Sequence, residues 1–306
     1  MSPSRAAVDV RVEDRTLRLT NLDKVYWPEV GFTKGQMIDY YSRIAPVLLP
    51  HLRERPLTLK RYPEGVDGQM FYEKNCPKHR PDWMHTARVW SGGNDRYMYY
   101  CVVDDLASLV WVAQLGTIEL HTSLSLGQKL PEPRAMVFDL DPGPPATIVQ
   151  CCQVAMWLRD WFLERDLQAF AKTSGNKGLQ VYVPINGPVD YDVTKHVSRG
   201  LAQKLERDHP RQVVSLQRKT LREGKVLIDW SQNDDAKTTI NVYSLRARAR
   251  PTASTPVHWD EVEHCLEAAD PNVLVFDSTA VLERVERQGD LFEPVLTLKQ
   301  QLPDSA

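Results

Sequence analysis

In the run MVFDLDPGPPA, residues 136–146, Asp139 and Asp141 stand one residue apart at the end of an apolar stretch that stops at Pro142 and Gly143. Strand side chains alternate faces, so both carboxylates project the same way, with Cα atoms about 6.6 Å apart. They cannot both be ionised cheaply without a cation. A third carboxylate, Asp229, sits inside the apolar run VLIDW, where an unpaired charge is costly. Three hard oxygen donors of this kind suit two divalent ions, Mg²⁺ or Mn²⁺, roughly 3.5–4 Å apart. The competing reading is a strand end, with one aspartate opening the Pro-Gly turn and the other solvated.

The segment TSGNKG, residues 173–178, adds a hydroxyl, glycines and a lysine between two strand-like runs. Such a turn can wrap phosphate oxygens with backbone N–H groups and an ammonium. It lacks the GxxxxGK[ST] spacing of a Walker loop, and a plain hairpin turn fits it as well. Basic segments lie at 59–63 (LKRYP), 217–225 (QRKTLREGK) and 245–251 (LRARARP). Carboxylates, a phosphate cradle and local basic patches point to two-metal phosphoryl or nucleotidyl transfer.

These residues need a sheet to hold them. Thr33 and Gln36 form a capping-box pattern before Met37, Tyr40, Tyr41, Ile44, Val47 and Leu48 at helical spacing, so a helix is predicted over 33–52. LTLKRY (57–62) and MYYCVVDD (98–105) read as strands, and 105–116 as a helix capped by Asp105 and stopped by Gly116. TIELHT (117–122) alternates, with Glu119 and His121 on one face. After the joint KLPEPRA (129–135) come the aspartate strand, a helix from Thr147, a strand pair over 169–185 and a helix over 192–210. Strands at 224–230 and 238–244 and a helix near 259–268 follow. The expected fold is mixed α+β, a largely antiparallel sheet backed by helices, with a submodule boundary at the joint.

Composition bounds the rest. With 306 residues, 42% hydrophobic and 25% charged, the chain has ample length for a core. Its net charge of −2 excludes a uniformly basic nucleic-acid-binding body, so such binding must use patches. No apolar run approaches the ~18 residues of a membrane span and no signal-peptide core is evident, so no membrane partner and a cytoplasmic location are expected. An odd set of cysteines, Cys76, Cys101, Cys151, Cys152 and Cys265, predicts free thiols. Cys76, His79 and His85 could tempt a zinc assignment, but a fourth ligand is not apparent.

The segments TNLDKVYWP, ERPLTLKRYPEGVDG, FYEK, LVWVAQLGTIELH, VFDLDPG, TSGNKGL, GKVLIDWSQND, KTTI and YSLRARARP occur in that order. Through them the chain, over roughly 8–298, resembles the polymerase domain of bacterial DNA ligase D, within the archaeo-eukaryotic primase superfamily. The resemblance implies a single primase-polymerase domain over 1–306, with submodules near 1–130 (DNA and template) and 131–298 (catalytic) and a tail at 299–306. It implies templated nucleotide addition at gaps, breaks and primer ends during end joining, with two Mn²⁺ or Mg²⁺ ions, nucleoside triphosphates and a ribonucleotide preference. Asp139 and Asp141 would hold both ions and Asp229 would complete one site. Ser174, Lys177 and Gly178 would contact the triphosphate, Arg246 would neutralise its charge, and His121 and Gln232 would lie beside the nucleotide. Lys24 and Lys34 match positions that bind the 5′-phosphate bordering a gap; Lys60, Phe71 and Tyr72 match a group near the template.

Gln180 stands where the family usually has histidine. No KxDG adenylation motif or second metal-rich module is present, so a ligase and an end-binding protein are expected as partners outside these residues. A primase that starts chains unprimed and a non-catalytic DNA-end-binding module are the other readings.

Overall fold

The computed structural model describes residues 7–303; residues 1–6 and the last three of the expected 299–306 tail lie outside the described residues. The first part of the chain forms β1 (Ala7–Val12), β2 (Arg15–Thr20), β3 (Val25–Trp27), β4 (Phe32–Thr33), α1 (Lys34–Leu52), β5 (Leu57–Arg61), β6 (Phe71–Glu73), β7 (Thr86–Ser91), β8 (Arg96–Cys101), α2 (Leu106–Gln114) and β9 (Thr117–Thr122). Then come β10 (Ala135–Pro142), α3 (Ile148–Leu163), β11 (Phe170–Thr173), β12 (Leu179–Pro184), α4 (Tyr191–Asp208), β13 (Val213–Val214) and β14 (Val226–Asp229). The chain closes with β15 (Thr239–Ile240), β16 (Pro256–Val257), α5 (Trp259–Ala268), α6 (Ser278–Gln288) and α7 (Pro294–Thr297). Among the described residues, no helix is long and apolar enough to cross a membrane.

The fold is mixed α+β with largely antiparallel strands, as expected; beside the two-stranded pairs β1-β2 and β3-β4 it has two six-stranded sheets. The first has the order β15-β9-β5-β8-β7, with β6 pairing β5; the second has the order β13-β14-β10-β12-β11-β16. All pairs in both are antiparallel except β13 with β14. Run TTINVYS contributes only Thr239 and Ile240, because Tyr243 at φ 62° turns the chain out of the ladder.

The capping boxes at Thr33, Asp105 and Thr147 form as their sequences dictate. Asp105 also takes the Arg15 guanidinium at 2.6 Å, tying β2 to α2. From α1, Met37, Tyr40, Tyr41, Ile44 and Leu48 bury against Leu59, Ile118 and Leu120 of the first sheet. The Tyr41 hydroxyl donates to Ile118 O (2.6 Å) and accepts from Leu245 N–H (3.1 Å). Helix α1 thus fixes the backbone next to Arg246.

Central strand β10 is buried on both sides. Met136, Phe138 and Leu140 enter a core with α3, α4 and α5, while Ala135 and Val137 face the other core. Alternation therefore puts Asp139 and Asp141 on the Val137 side, toward the first sheet.

The expectation of free thiols fails for two cysteines. Cys76 N–H donates to Tyr99 O, which lays its loop along β8 and brings Cys76 to a Cα–Cα distance of 4.9 Å from Cys101, where they form a disulfide. Cys151, Cys152 and Cys265 are free and buried. Thiol titration of the unfolded, unreduced protein should therefore count three groups; a count of five would show that Cys76 and Cys101 do not pair. The zinc set is dispersed as well: Cys76 is bonded to Cys101, His79 lies against Trp111, and His85 meets Asp104 at 3.1 Å.

Candidate active site

Strand register assembles the site. Reading across the second sheet, Lys172 of β11 is opposite Gln180 of β12, Gln180 is opposite Asp139 of β10, and Asp139 is opposite Asp229 of β14. These four side chains form one polar row, with Asp141 two residues on from Asp139. Gln180 Nε2 donates to Asp139 Oδ1 at 3.0 Å. Asp229 accepts from Ser231 N–H (3.0 Å), Ser231 Oγ (2.5 Å) and Gln232 Nε2 (3.1 Å).

None of the three aspartates forms an ion pair among the described residues. Burial, and then the Asp141 charge, push the Asp139 carboxyl up to about 7; burial and Asp229 raise Asp141. Carboxylates held together against their own repulsion, with amide and hydroxyl partners only, are the donor set a divalent cation neutralises. Among the described residues no three His, Cys, Asp or Glu side chains are arranged to hold a metal ion by themselves.

Opposite lies the first sheet's polar face. Glu119 of β9 is buried and accepts from Lys60 Nζ (3.1 Å), His121 Nε2 (2.9 Å) and Ala247 N–H (3.2 Å), with Arg246 Nε at 3.6 Å. Although burial opposes it, the His121 hydrogen bond and the nearby cations draw the Glu119 carboxyl down to about 2. Burial lowers the His121 imidazole against the pull of Glu119, whose carboxylate lies 2.9 Å from Nε2. Arg246 Nε is buried and makes no hydrogen bond; its counter-charge is the Glu119 carboxylate 3.6 Å away.

A pocket of about 170 Å³ is lined by His121, Asp139, Asp141, Ser174, Asn176, Gln180, Gln232, Thr239, Ile240 and Arg246. It joins both sheets with the 173–178 turn. That turn is built tightly: Ser174 Oγ accepts from Asn176 and Gly178 N–H, and Thr252 Oγ1 donates to Gly175 O. Gly175 has φ +67°, and a Cβ on Gly178 would lie 2.1 Å from Leu140 O, so close packing on β10 itself demands glycine there.

The family described as the LigD primase-polymerase domain matches residues 33–292. The chain belongs to this family. It is 39% identical over 282 residues to the multifunctional non-homologous end joining protein LigD of Mycolicibacterium smegmatis, covering 91% of this chain and 36% of that protein. It is 28% identical over 291 residues to the bifunctional LigD of Bacillus subtilis, covering 95% of this chain and 46% of that protein. The chain thus spans under half the length of these relatives. The polymerase domain of Mycobacterium tuberculosis Ligase D, solved in complex with DNA, superposes with a TM-score of 0.83 at 37% identity, covering 92% of this chain and 98% of that one. As a LigD primase-polymerase domain, this chain is a polymerase of the nucleotidyltransferase class.

In this LigD domain the pocket gathers His121, Asp139, Asp141, Ser174, Gln232 and Arg246, as the sequence expectations grouped them. Asp229 stands beside Asp139 by register but outside that lining, and Lys177 lines a neighbouring pocket of about 400 Å³ with Thr147 and Thr252. Lys24 and Lys34 form a separate group at the start of α1. Lys24 Nζ is held by Glu64 (2.5 Å) and Pro63 O (2.8 Å), and Lys34 Nζ donates to Thr20 O (3.0 Å). Phe71 and Tyr72 are 47% and 60% exposed, which rules out the core role that aromatics in such runs usually take. Tyr72 lies edge-on to His121, with ring centroids 6.3 Å apart, and under Lys60 Nζ at 5.6 Å. Two residues not assigned a role from sequence, Glu119 and Lys172, hold the others in place. Lys172 is a charge in an otherwise apolar strand, the signal that singled out Asp229, whereas Glu119 lies with His121 on the polar face of an alternating strand.

Proposed function

We propose that this chain is a template-directed nucleotidyltransferase that fills gaps and extends primer ends in DNA end joining, preferring ribonucleotides and using two divalent ions. The observation that carries this reading is that Asp139 and Asp141 line one pocket with Ser174 and Arg246. Asp139 and Asp141 would hold two ions, Mn²⁺ or Mg²⁺, with Asp229 completing one site. Bound there, the ions supply Lewis-acid stabilisation at the α-phosphate and acidify the primer 3′-OH.

The protein's own residues do the rest. Ser174, Lys177 and the Gly178 backbone bind the triphosphate, and Arg246 balances charge as the primer oxygen attacks in line and pyrophosphate leaves. His121 and Gln232 border the nucleotide; with Thr239 they carry the pocket's polar atoms that a ribose 2′-OH could meet. Exposed Phe71 and Tyr72 beside Lys60 offer the template a stacking face and a positive charge. The same reading places the chain in the bacterial cytoplasm, with a ligase and an end-binding protein as partners.

The test is extension of a labelled primer across a short gap, with NTPs or dNTPs, in Mn²⁺ and in Mg²⁺. Templated addition with NTPs favoured is expected; no addition with either sugar would overturn the reading. Addition on unprimed template would extend it to priming.

Lys24 and Lys34 would bind the 5′-phosphate across the gap, where the N-terminus of α1 adds its partial positive charge. Burial, then the Lys24 charge, lower Lys34 to about 8. Its charge is present below that pH and lost above it. The ratio of affinities for phosphorylated and unphosphorylated gaps should therefore shrink as pH rises from about 7 to about 9. A constant ratio over that range would remove Lys34 from phosphate recognition.

A further inference from the structure

Behind Asp139, the row of side chains ends in a lysine with no contact to solvent. Lys172 is 0% exposed, and its Nζ donates to Gln180 Oε1 (2.6 Å), Ser254 Oγ (2.7 Å) and Ile240 O (3.1 Å). Burial lowers Lys172 to about 7 against the pull of Asp139; in the ammonium form each of its three protons has an acceptor.

This saturation dictates the orientation of Gln180. With Oε1 drawn to the ammonium, Nε2 must point to Asp139, where it donates to Oδ1. The flipped amide would set its NH₂ against the ammonium and its carbonyl against the carboxylate, losing both bonds. One Asp139 oxygen is thereby engaged and the carboxylate plane is fixed, leaving the second oxygen for the open side of the pocket. The Ile240 bond also anchors β15, which lines that pocket.

We propose that Lys172 is a positioning residue for the metal-binding face of Asp139, acting through the amide of Gln180. This inference rests on the three-aspartate metal reading above. Lys172 is fully buried and reaches no substrate, while Gln180 lines the pocket and relays the effect of Lys172 to Asp139.

The experiment measures Mn²⁺ binding by electron paramagnetic resonance of the free ion, without DNA or nucleotide, with thermal unfolding recorded alongside. Wild type is compared with Lys172→Met, Gln180→Leu and the double variant. Each single change should weaken Mn²⁺ binding about tenfold or more, as loss of groups that orient metal ligands does. The double variant should be no weaker than either single one, because both cut the same chain of contacts. Gln180→His, whose neutral ring can accept from Lys172 and donate to Asp139, should restore binding. If Lys172→Met does not fold, Ser254→Ala, which removes one anchor of the ammonium, should weaken binding in the same direction.

A folded Lys172→Met or Ser254→Ala protein that binds Mn²⁺ like wild type would overturn the proposal, as would strictly additive losses in the double variant. Absence of Mn²⁺ binding in wild type would instead bring down the metal reading itself, and this inference with it.

Discussion

Replacing Asp139 by asparagine is expected to lower templated extension by about 1,000-fold or more, equivalent to about 4 kcal/mol of transition-state stabilisation. Binding to gapped DNA should stay within a few-fold of wild type. The side chain keeps its size, and its amide can still meet Gln180, so the fold does not depend on the change. What disappears is the negative charge at the centre of the row, between Gln180 and Asp229, where a shared cation would sit. Removing one of three mutually repelling carboxylates should also raise thermal stability without metal, since burial and Asp141 already push Asp139 up to about 7. Substantial retained extension, or stability that falls, would contradict the assignment.

The second large effect is expected at Glu119. Its buried carboxylate is the counter-charge for Lys60 and Arg246 and the acceptor for His121. Glu119→Gln leaves two cations facing each other in a site of low polarisability, and removing one partner of such a buried set costs about 3–5 kcal/mol. Stability should fall by that order, and the KM for nucleotide should rise about tenfold, roughly 1.4 kcal/mol, as Arg246 and His121 lose their common anchor.

The carboxyl sits at about 2 in the fold against an ordinary 4.5. Its contribution is therefore complete above about pH 4.5 and is lost as pH falls toward 2. Wild type should thus lose stability over that interval more steeply than Glu119→Gln. Equal acid profiles and an unchanged KM would show that Glu119 does not organise the nucleotide side of the pocket.

Much of this site was legible because strand alternation is a local rule. Asp139 with Asp141, and Glu119 with His121, share faces by spacing alone, and Asp229 is conspicuous as a charge in VLIDW. Lys172 in FAKTSG carries the same signal, a charge where the alternation calls for burial. Its meaning depends on register: only the pairing of β11, β12, β10 and β14 shows that Lys172, Gln180, Asp139 and Asp229 are successive neighbours. Sheet order is non-local, which is why neither the division of the strands into two six-stranded sheets nor the meeting of Cys76 with Cys101 follows from their sequence neighbourhoods.

The capping box at Thr33 was readable because both partners lie within four residues. Helix α6 was not among the expected elements, although Asp277 caps it and Val281, Leu282 and Val285 share one stripe. The tight turn at 173–178 shows the converse. Its Gly178 suits a phosphate loop by type, yet the structure gives that glycine a packing reason of its own against Leu140.

The most direct test of the central claim is anomalous diffraction at the manganese edge from crystals grown with gapped DNA and a non-hydrolysable ATP analogue. The expected result is Mn²⁺ signal bridging Asp139 and Asp141, with one ion also reaching Asp229, and the triphosphate lying between the 173–178 turn and Arg246. Manganese bound away from these aspartates, or a triphosphate seated elsewhere with the aspartates bare, would contradict the account.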